Sequence, residues 1–159
     1  MRTFSSIKGQ PVLDLQTGER LGAVSDLSVA EDGKIEGLLV KSGTLLKKTF
    51  LVSPESVHSY GEGGVMVEGC EDLLPLQDKP ARTLEHQGKL SGMMLYSQEG
   101  SELGLLEDVY FSEELGTIVG YELTDGFFSD FLEGKRMIKP VDPPAIGKDA
   151  IIVNVDTEC

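Results

Sequence analysis

The sequence is poor in the residues that build covalent or metal-centred chemistry. Two cysteines, two histidines and no tryptophan occur among 159 residues. Cys70 and Cys159 are too few for a disulfide scaffold or for a zinc site made of thiolates. Neither His58 nor His86 stands at a ligand spacing from another histidine or a cysteine. We therefore expect two unconnected thiols, no metal site and no cofactor.

Sequence signatures of catalysis are also missing. There is no P-loop, no dinucleotide-binding fingerprint and no nucleophile elbow. Carboxylates cluster at Glu107, Asp108, Glu113 and Glu114, but their spacing does not match a calcium-binding loop. We interpret them as a solvated acidic edge. We expect no catalytic residues and no enzymatic activity.

Positive charge is scarce. Fourteen Lys and Arg stand against 27 Asp and Glu, which gives a net charge of −13. Such a surface repels phosphate backbones and anionic lipid, so we expect no direct contact with nucleic acid. A basic partner, or a local basic patch hidden in the average, stays open. Lys41, Lys47 and Lys48 form a local basic cluster, which we interpret as protection of an edge hairpin against aggregation.

Long apolar stretches are absent as well. No run approaches the ~20 apolar residues of a membrane span. The N-terminus, MRTFSSIKGQPVLDLQ, has no apolar region of the length that a signal peptide needs. We expect a cytoplasmic protein without membrane insertion. No segment repeats its apolar residues at helical spacing over several turns, so long helices are not expected.

What the sequence does contain is a repeat. LGAVSD (21–26) and LGLLED (103–108) are nearly the same hexapeptide, and the similarity extends on both sides of it. The aligned ranges are 9–22 with 92–104, 33–40 with 116–123, 50–54 with 137–140, and 65–68 with 151–154. Matched spacing over a whole unit indicates an internal duplication.

Each copy consists of short apolar runs between turn residues. Runs of this length, rich in Val, Ile, Leu and Tyr, are typical of strands. Asp32-Gly33 is a hairpin signal, because glycine tolerates the positive φ of tight turns. The predicted fold class is therefore all-β, with two similar small antiparallel β-barrels joined by a linker.

The repeated hexapeptide predicts a long strand with a bulge. Ser25 and Glu107 interrupt the apolar alternation at one equivalent place, where a bulge lets a small sheet close on itself. The predicted inner-face residues are Leu21, Ala23, Leu27 and Val29 in the first copy and Leu103, Leu105, Val109 and Phe111 in the second.

A structural role is predicted for the residues of the repeated motif, which are Leu21, Gly22, Asp26, Leu103, Gly104 and Asp108. The glycines permit a bend or a close backbone crossing. The aspartates accept hydrogen bonds from neighbouring backbone N–H groups at the bend. The motif is thus interpreted first as a folding signal.

The order of these signals resembles the PRC-barrel family. A turn with glycine, L-G-x-V/L-x-D, a glycine hairpin, a strand ending in proline and a final apolar strand recur over residues 3–69 and again 90–156. The resemblance implies a compact all-β barrel that serves as a docking surface, with no shared catalytic residues. The family includes a cytoplasmic domain of the photosynthetic reaction centre and a domain of a ribosome-maturation factor. Neither specific role is carried over to this chain.

The duplication divides the chain into three parts. The predicted domains are a first repeat at 1–72, a linker at 73–89 and a second repeat at 90–159. Two prolines and mixed charge in the linker are typical of a connector. Leu73, Leu74 and Leu76 within it are apolar enough to pack against a barrel.

The copies differ most in one hairpin. KSGTLLKKTF (41–50) corresponds to TDGFFSDFLEGKRM (124–137), which is three residues longer between its glycine and the following proline. Exposed aromatic patches usually mark binding surfaces, so this hairpin is the candidate partner-binding site. The candidate residues are Phe127, Phe128, Phe131 and Leu132. The alternative is that these rings fill a larger core or pack on the other barrel.

The sequence favours a cytosolic, non-catalytic protein-interaction or adaptor module. Its partner would be another protein or a second copy of the chain. One alternative is an accessory protein of the ribosome or of RNA processing that docks on a basic protein. A further alternative is a regulator that binds a small ligand or a metal ion between the barrels.

Overall fold

The computed structural model describes residues 2–76, 78–113, 116–124 and 136–155. Within these ranges the chain forms strands and three short 3-10 helices, and no α-helix. The predicted all-β fold class is therefore confirmed.

The strands fall into two series, one in each copy. The first half of the chain supplies β1 (Arg2–Thr3), β2 (Pro11–Asp14), β3 (Arg20–Val29), β4 (Ile35–Ser42), β5 (Lys48–Val52), β6 (Val57–Tyr60), β7 (Val65–Val67) and β8 (Leu74–Pro75). The second half supplies β9 (Met94–Ser97), β10 (Glu102–Phe111), β11 (Ile118–Thr124), β12 (Arg136–Ile138), β13 (Ala145–Ile146) and β14 (Ile151–Val153). The 3-10 helices are Phe4–Ser6, Pro54–Ser56 and Cys70–Asp72.

The described strands form two seven-stranded sheets, one centred on each copy. The first has the order β6-β7-β2-β3-β4-β5-β8, and the second has the order β12-β11-β10-β9-β14-β13 with β1 added against β10. Both contain one parallel pair at the same place, β2 with β7 and β9 with β14. The two copies therefore share one strand order from β7 to β5 and from β14 to β12.

The long central strands carry the predicted bulges. The register of β3 against β4 slips between Val24 and Asp26, and that of β10 against β11 slips between Leu106 and Asp108. Ser25 and Glu107 are the extra residues, as the break in alternation predicted. A bulge increases the local twist of a strand, and here it curls each sheet into a half-barrel.

The bulge also changes which residues face the core ahead of it. Val24 and Leu106 are 2% and 1% exposed, whereas Ala23, Leu103 and Leu105 are only half-buried. The predicted inner face was wrong for these three residues, because the extra residue reverses the alternation, whereas Leu21 is buried as predicted. Beyond the bulge the predicted core residues are buried, namely Leu27, Val29, Val109 and Phe111.

The segment in front of the first copy pairs with the second copy. Strand β1 runs antiparallel to β10, with Arg2 opposite Phe111 and Thr3 opposite Tyr110. Directly after it, Phe4 is buried in the core. We call residues 2–7 the first leader segment.

The segment in front of the second copy makes the reciprocal contact with the first. The backbone N–H of Val29 donates to the carbonyl of Arg82 at 3.0 Å, and that of Leu84 donates to the carbonyl of Leu27 at 3.0 Å. Leu84 is buried, as Phe4 is. We call residues 82–87, which lie within the predicted linker, the second leader segment. The two copies thus exchange their leader segments.

The hairpins at the ends of the central strands also meet. Lys34 and Thr117, which are equivalent positions in the repeat, form an antiparallel bridge. A pairing between equivalent positions places a local two-fold axis between them. Strands β4 and β11 start beside this bridge, so they leave it in opposite directions.

Glycines are required where these hairpins touch the other copy. Gly33 and Gly116 have φ values of +87° and +64°. A Cβ atom on Gly33 would lie 2.7 Å from Pro144, and one on Gly116 would lie 2.6 Å from Pro54. The positive φ and the close approach both exclude larger residues.

One hydrophobic core runs through both copies. Tyr60 of β6 and Phe111 of β10 join them with an edge-to-face ring contact whose centroids are 5.4 Å apart. Burial, with the Glu113 carboxylate as a second cause, raises the pKa of the Tyr60 phenol to about 12. The two copies therefore pack on each other as a single body and are not two separate domains joined by a linker.

Candidate functional site

Asp26 lies directly after the bulge of β3 and is almost completely buried. Its Oδ1 accepts a hydrogen bond from the N–H of Leu27 at 2.8 Å and another from the N–H of Glu85 at 3.0 Å. The first donor is the neighbouring residue at the bend. The second belongs to the leader segment of the other copy, so Asp26 ties that segment to β3.

Asp108 repeats this arrangement in the second copy. Its Oδ1 accepts from the N–H of Val109 at 2.8 Å and from the N–H of Ser5 at 3.3 Å. Asp108 is 5% exposed. The two motif aspartates therefore hold the two exchanged leader segments in equivalent ways.

The second carboxylate oxygen distinguishes the copies. The hydroxyl of Ser5 donates to Asp108 Oδ2 at 2.5 Å, whereas the imidazole Nδ1 of His86 lies 2.5 Å from Asp26 Oδ2. The side chain of His86 is 61% exposed. Copy one thus has a solvent-facing imidazole where copy two has a hydroxyl.

The leucines and glycines of the motif lie near the start of each long strand. Leu21 is buried and Leu103 is half-buried. A Cβ atom on Gly22 would lie 2.6 Å from the carbonyl oxygen of Lys41 on β4, so the two backbones approach closely here. Gly104 is the equivalent residue of β10 and has a φ of +145°.

The aromatic hairpin of copy two is outside the described residues. Strand β11 ends at Thr124 and β12 begins at Arg136. The predicted partner-binding residues fall between them, namely Phe127, Phe128, Phe131 and Leu132. That assignment stays a prediction.

The equivalent hairpin of copy one exposes two leucines. Ser42 pairs with Lys48 at the end of β4 and β5, and residues 43–47 form the β4–β5 tip beyond this pair. Leu45 and Leu46 in the tip are 96% and 85% exposed, and the next most exposed large apolar side chain among the described residues, Val141, is 58% exposed. The tip therefore presents apolar surface that the described part of the chain leaves uncovered.

A basic cleft of about 300 Å³ lies at the base of the tip. Three of the described residues that line it are cationic, namely Arg20, Lys41 and Lys47, and none of the described lining residues is acidic. Within the part of the chain that the structure describes, none of these three, nor Lys48, has an acidic partner at salt-bridge distance. The cleft is suited to an anionic group, such as a phosphate or a carboxylate.

The leucine pair and Arg20 were not among the residues predicted from the sequence. The signal for the leucines was present, because two adjacent leucines between lysines occupied a predicted turn (KSGTLLKK, 41–48). Arg20 could not be found in this way, since only the pairing of β3 with β4 brings it to the tip.

Two other clefts do not indicate one class of ligand. One of about 200 Å³ is lined by polar and apolar residues, among them Asp26, His86 and Leu39. The other, of about 420 Å³, is polar and includes Glu55, His58, Glu68 and Asp72. The described residues hold no group of three or more His, Cys, Asp and Glu side chains placed to bind a metal ion.

Comparison with known proteins identifies the family. The PRC-barrel domain family matches residues 1–74 and again residues 84–158. The chain belongs to the PRC-barrel family and contains two such domains in tandem.

One relative is similar over nearly the whole of this chain. The uncharacterized protein YrrD of Bacillus subtilis (strain 168) is 35% identical over 157 residues, which cover 97% of this chain and 88% of YrrD.

The described residues of this chain include no helix long and apolar enough to cross a membrane.

Proposed function

We propose that this protein is a non-catalytic adaptor, a single rigid body that carries binding loops at two opposite ends. The observation that carries the proposal is the exposure of Leu45 and Leu46 at 96% and 85%. Adjacent leucines in full contact with water usually mark a surface that is covered by a partner.

The strand directions support two separate binding ends. Strands β4 and β11 diverge from the bridge between Lys34 and Thr117. Strand β4 leads to the β4–β5 tip, and β11 leads towards the aromatic hairpin predicted from the sequence. A body with loops at opposite ends is suited to hold two partners apart.

The polar residues at the junction favour a structural role over catalysis. Both carboxylate oxygens of Asp26 and of Asp108 already have hydrogen-bond partners within the chain. A catalytic carboxylate would instead direct an oxygen at a substrate. Cys70 is a free and exposed thiol, which suits the reducing cytoplasm that the proposal assigns to the protein.

In-cell photo-crosslinking of the full chain tests the adaptor. A photoreactive amino acid at position 45 samples the tip, and one at position 141 is the matched control on an exposed apolar residue elsewhere. The adaptor predicts a discrete adduct with protein or lipid from position 45 that position 141 does not give. Identical patterns from both positions would contradict it.

A further inference from the structure

We infer, on the basis of the proposed function, that the β4–β5 tip docks on the surface of an anionic phospholipid bilayer. Leu45 and Leu46 enter the boundary between headgroups and acyl chains, and the basic cleft receives a lipid phosphate. The contact is interfacial, and no segment of the protein has to span the membrane.

The leucines supply the apolar part of this contact. They are adjacent, they lie at the extremity of a hairpin, and they are 96% and 85% exposed. Leu15, in the turn between β2 and β3 at the same end of the sheet, is a third exposed leucine at 44%. Interfacial binding strengthens with the apolar area that is buried at the bilayer boundary, and these leucines offer such area without any change in the fold.

The cations supply the electrostatic part. Arg20, Lys41 and Lys47 line the cleft at the base of the tip, and Lys48 follows it. These four side chains have no acidic partner among the described residues, although the whole chain carries a net charge of −13. Unpaired cations beside an apolar tip match the surface of an anionic leaflet, where long basic side chains keep their charged groups at headgroup level.

A fluid bilayer fits this surface better than a protein groove does. Protein hot spots are enriched in Trp, Tyr and Arg in shaped pockets, and leucine is under-represented in them. Two leucines surrounded by flexible lysines offer little shape to a protein partner, but a bilayer requires none. Two weak signals, one apolar and one electrostatic, are also what stable yet reversible interfacial binding needs.

The acidity of the remaining surface gives the contact an orientation. An anionic leaflet repels the rest of the chain and attracts the tip, so the tip approaches first. Glu19, in the turn beside the tip, is exposed and offsets part of the local positive charge. Because salt screens the attraction between the tip and the anionic leaflet, we expect the binding to weaken strongly as salt is added.

Vesicle flotation with the full chain tests the inference. The probes are vesicles of phosphatidylcholine alone and vesicles of phosphatidylcholine mixed with phosphatidylglycerol, at low and at high salt. The expected result is flotation with the phosphatidylglycerol vesicles at low salt, and binding lower by about tenfold or more to phosphatidylcholine alone or at high salt.

Two variants separate the two parts of the contact. Leu45→Ser with Leu46→Ser removes the apolar part, and Lys47→Glu with Lys48→Glu reverses the charge. Each should lower the partitioning by about tenfold, with an unchanged thermal midpoint because all four side chains are exposed. The matched controls are Val141→Ser and Lys139→Glu, which change exposed residues of copy two and should bind as the unchanged chain does.

Several results would overturn the lipid assignment. These are no flotation with phosphatidylglycerol vesicles at low salt, equal binding to both vesicle types, or flotation that neither tip variant reduces. Binding of inorganic phosphate in the cleft without vesicle binding would assign the cleft to a free anion instead. A protein adduct from position 45 without flotation would also overturn the lipid assignment, but it would support the adaptor. If neither an adduct from position 45 nor flotation were observed, both proposals would be wrong.

Discussion

The two copies share the main features of their junction, and they differ in one contact within it and in one hairpin outside it. Both have a bulged long strand, a buried aspartate after the bulge and a glycine hairpin against the other copy. They differ in the second partner of the aspartate, His86 against Ser5, and in the hairpin after β4 or β11. The shared features build the junction, so they are constrained by folding, whereas the sequences of the hairpins after β4 and β11 differ between the copies.

The exchange of leader segments explains why the junction is so constrained. Each leader pairs with the long strand of the other copy and is held by its aspartate. Neither copy completes its sheet packing alone. A change at either leader should therefore affect the whole chain, which gives a direct way to compare the copies.

The largest expected effect is the loss of a leader anchor. Phe4 and Leu84 are each 1% exposed. Phe4→Ala should lower the free energy of unfolding by about 3–5 kcal/mol and Leu84→Ala by about 2–5 kcal/mol, since each leaves a cavity in the shared core. Urea unfolding monitored by circular dichroism measures both. Leu74→Ala, at a 50% exposed position of β8, is the control and should change stability little. If only one leader anchor mattered, the exchange would not be reciprocal.

The next effect concerns the aspartates. Asp26→Ala and Asp108→Ala should each lower the free energy of unfolding by about 1–3 kcal/mol, because two backbone N–H groups lose a buried acceptor. Asp149→Ala, at an exposed position, is the control. A variant that kept its melting temperature but lost partner binding would show that the motif is a binding site.

Alkaline pH should loosen the ring contact between the copies. The pKa of Tyr60 is raised from 10.0 to about 12 in the folded protein, so its neutral form favours folding. This contribution is complete below pH 10 and is lost as the pH rises towards about 12. Tyr60→Phe should therefore lose less stability than the unchanged chain over this window, by on the order of 1 kcal/mol for a half-buried ring. Parallel pH profiles of the two proteins would contradict the assignment.

The smallest effect should come from His86→Ser, which makes the first junction resemble the second. The imidazole is 61% exposed, so its contact with Asp26 should contribute less than about 1 kcal/mol. Urea unfolding near neutral pH measures the difference. A loss as large as that of Asp26→Ala would mean that the copies are held by different contacts.

Sequence periodicity predicted the parts of the fold that depend on local order. The duplication, the bulges at Ser25 and Glu107 and the turn at Gly33 follow from spacing and from the conformational range of glycine. The exchange of leader segments could not be predicted, because nothing in the sequence at Arg82 and Thr83 indicates which long strand they pair with. A linker of the same composition would pack equally well on either barrel.

The candidate site was predicted less well than the fold. The lysines at 41, 47 and 48 were noted from the sequence, but their meaning depends on two facts of three dimensions. One is that Leu45 and Leu46 find no surface to cover them. The other is that β3 brings Arg20 to the same cleft. Neither the exposure of a side chain nor the identity of its neighbours on other strands can be predicted from the sequence of one hairpin.

The central claim is that the exchanged leaders make the two copies one cooperative unit. The chain has no tryptophan, so a single Phe50→Trp reports on the first sheet and a single Tyr96→Trp on the second, both at half-buried positions of the full chain. Urea unfolding followed by fluorescence should give the same midpoint and slope for both probes, coincident with circular dichroism. Two separate transitions, with one probe unfolding while the other stays native, would contradict the account.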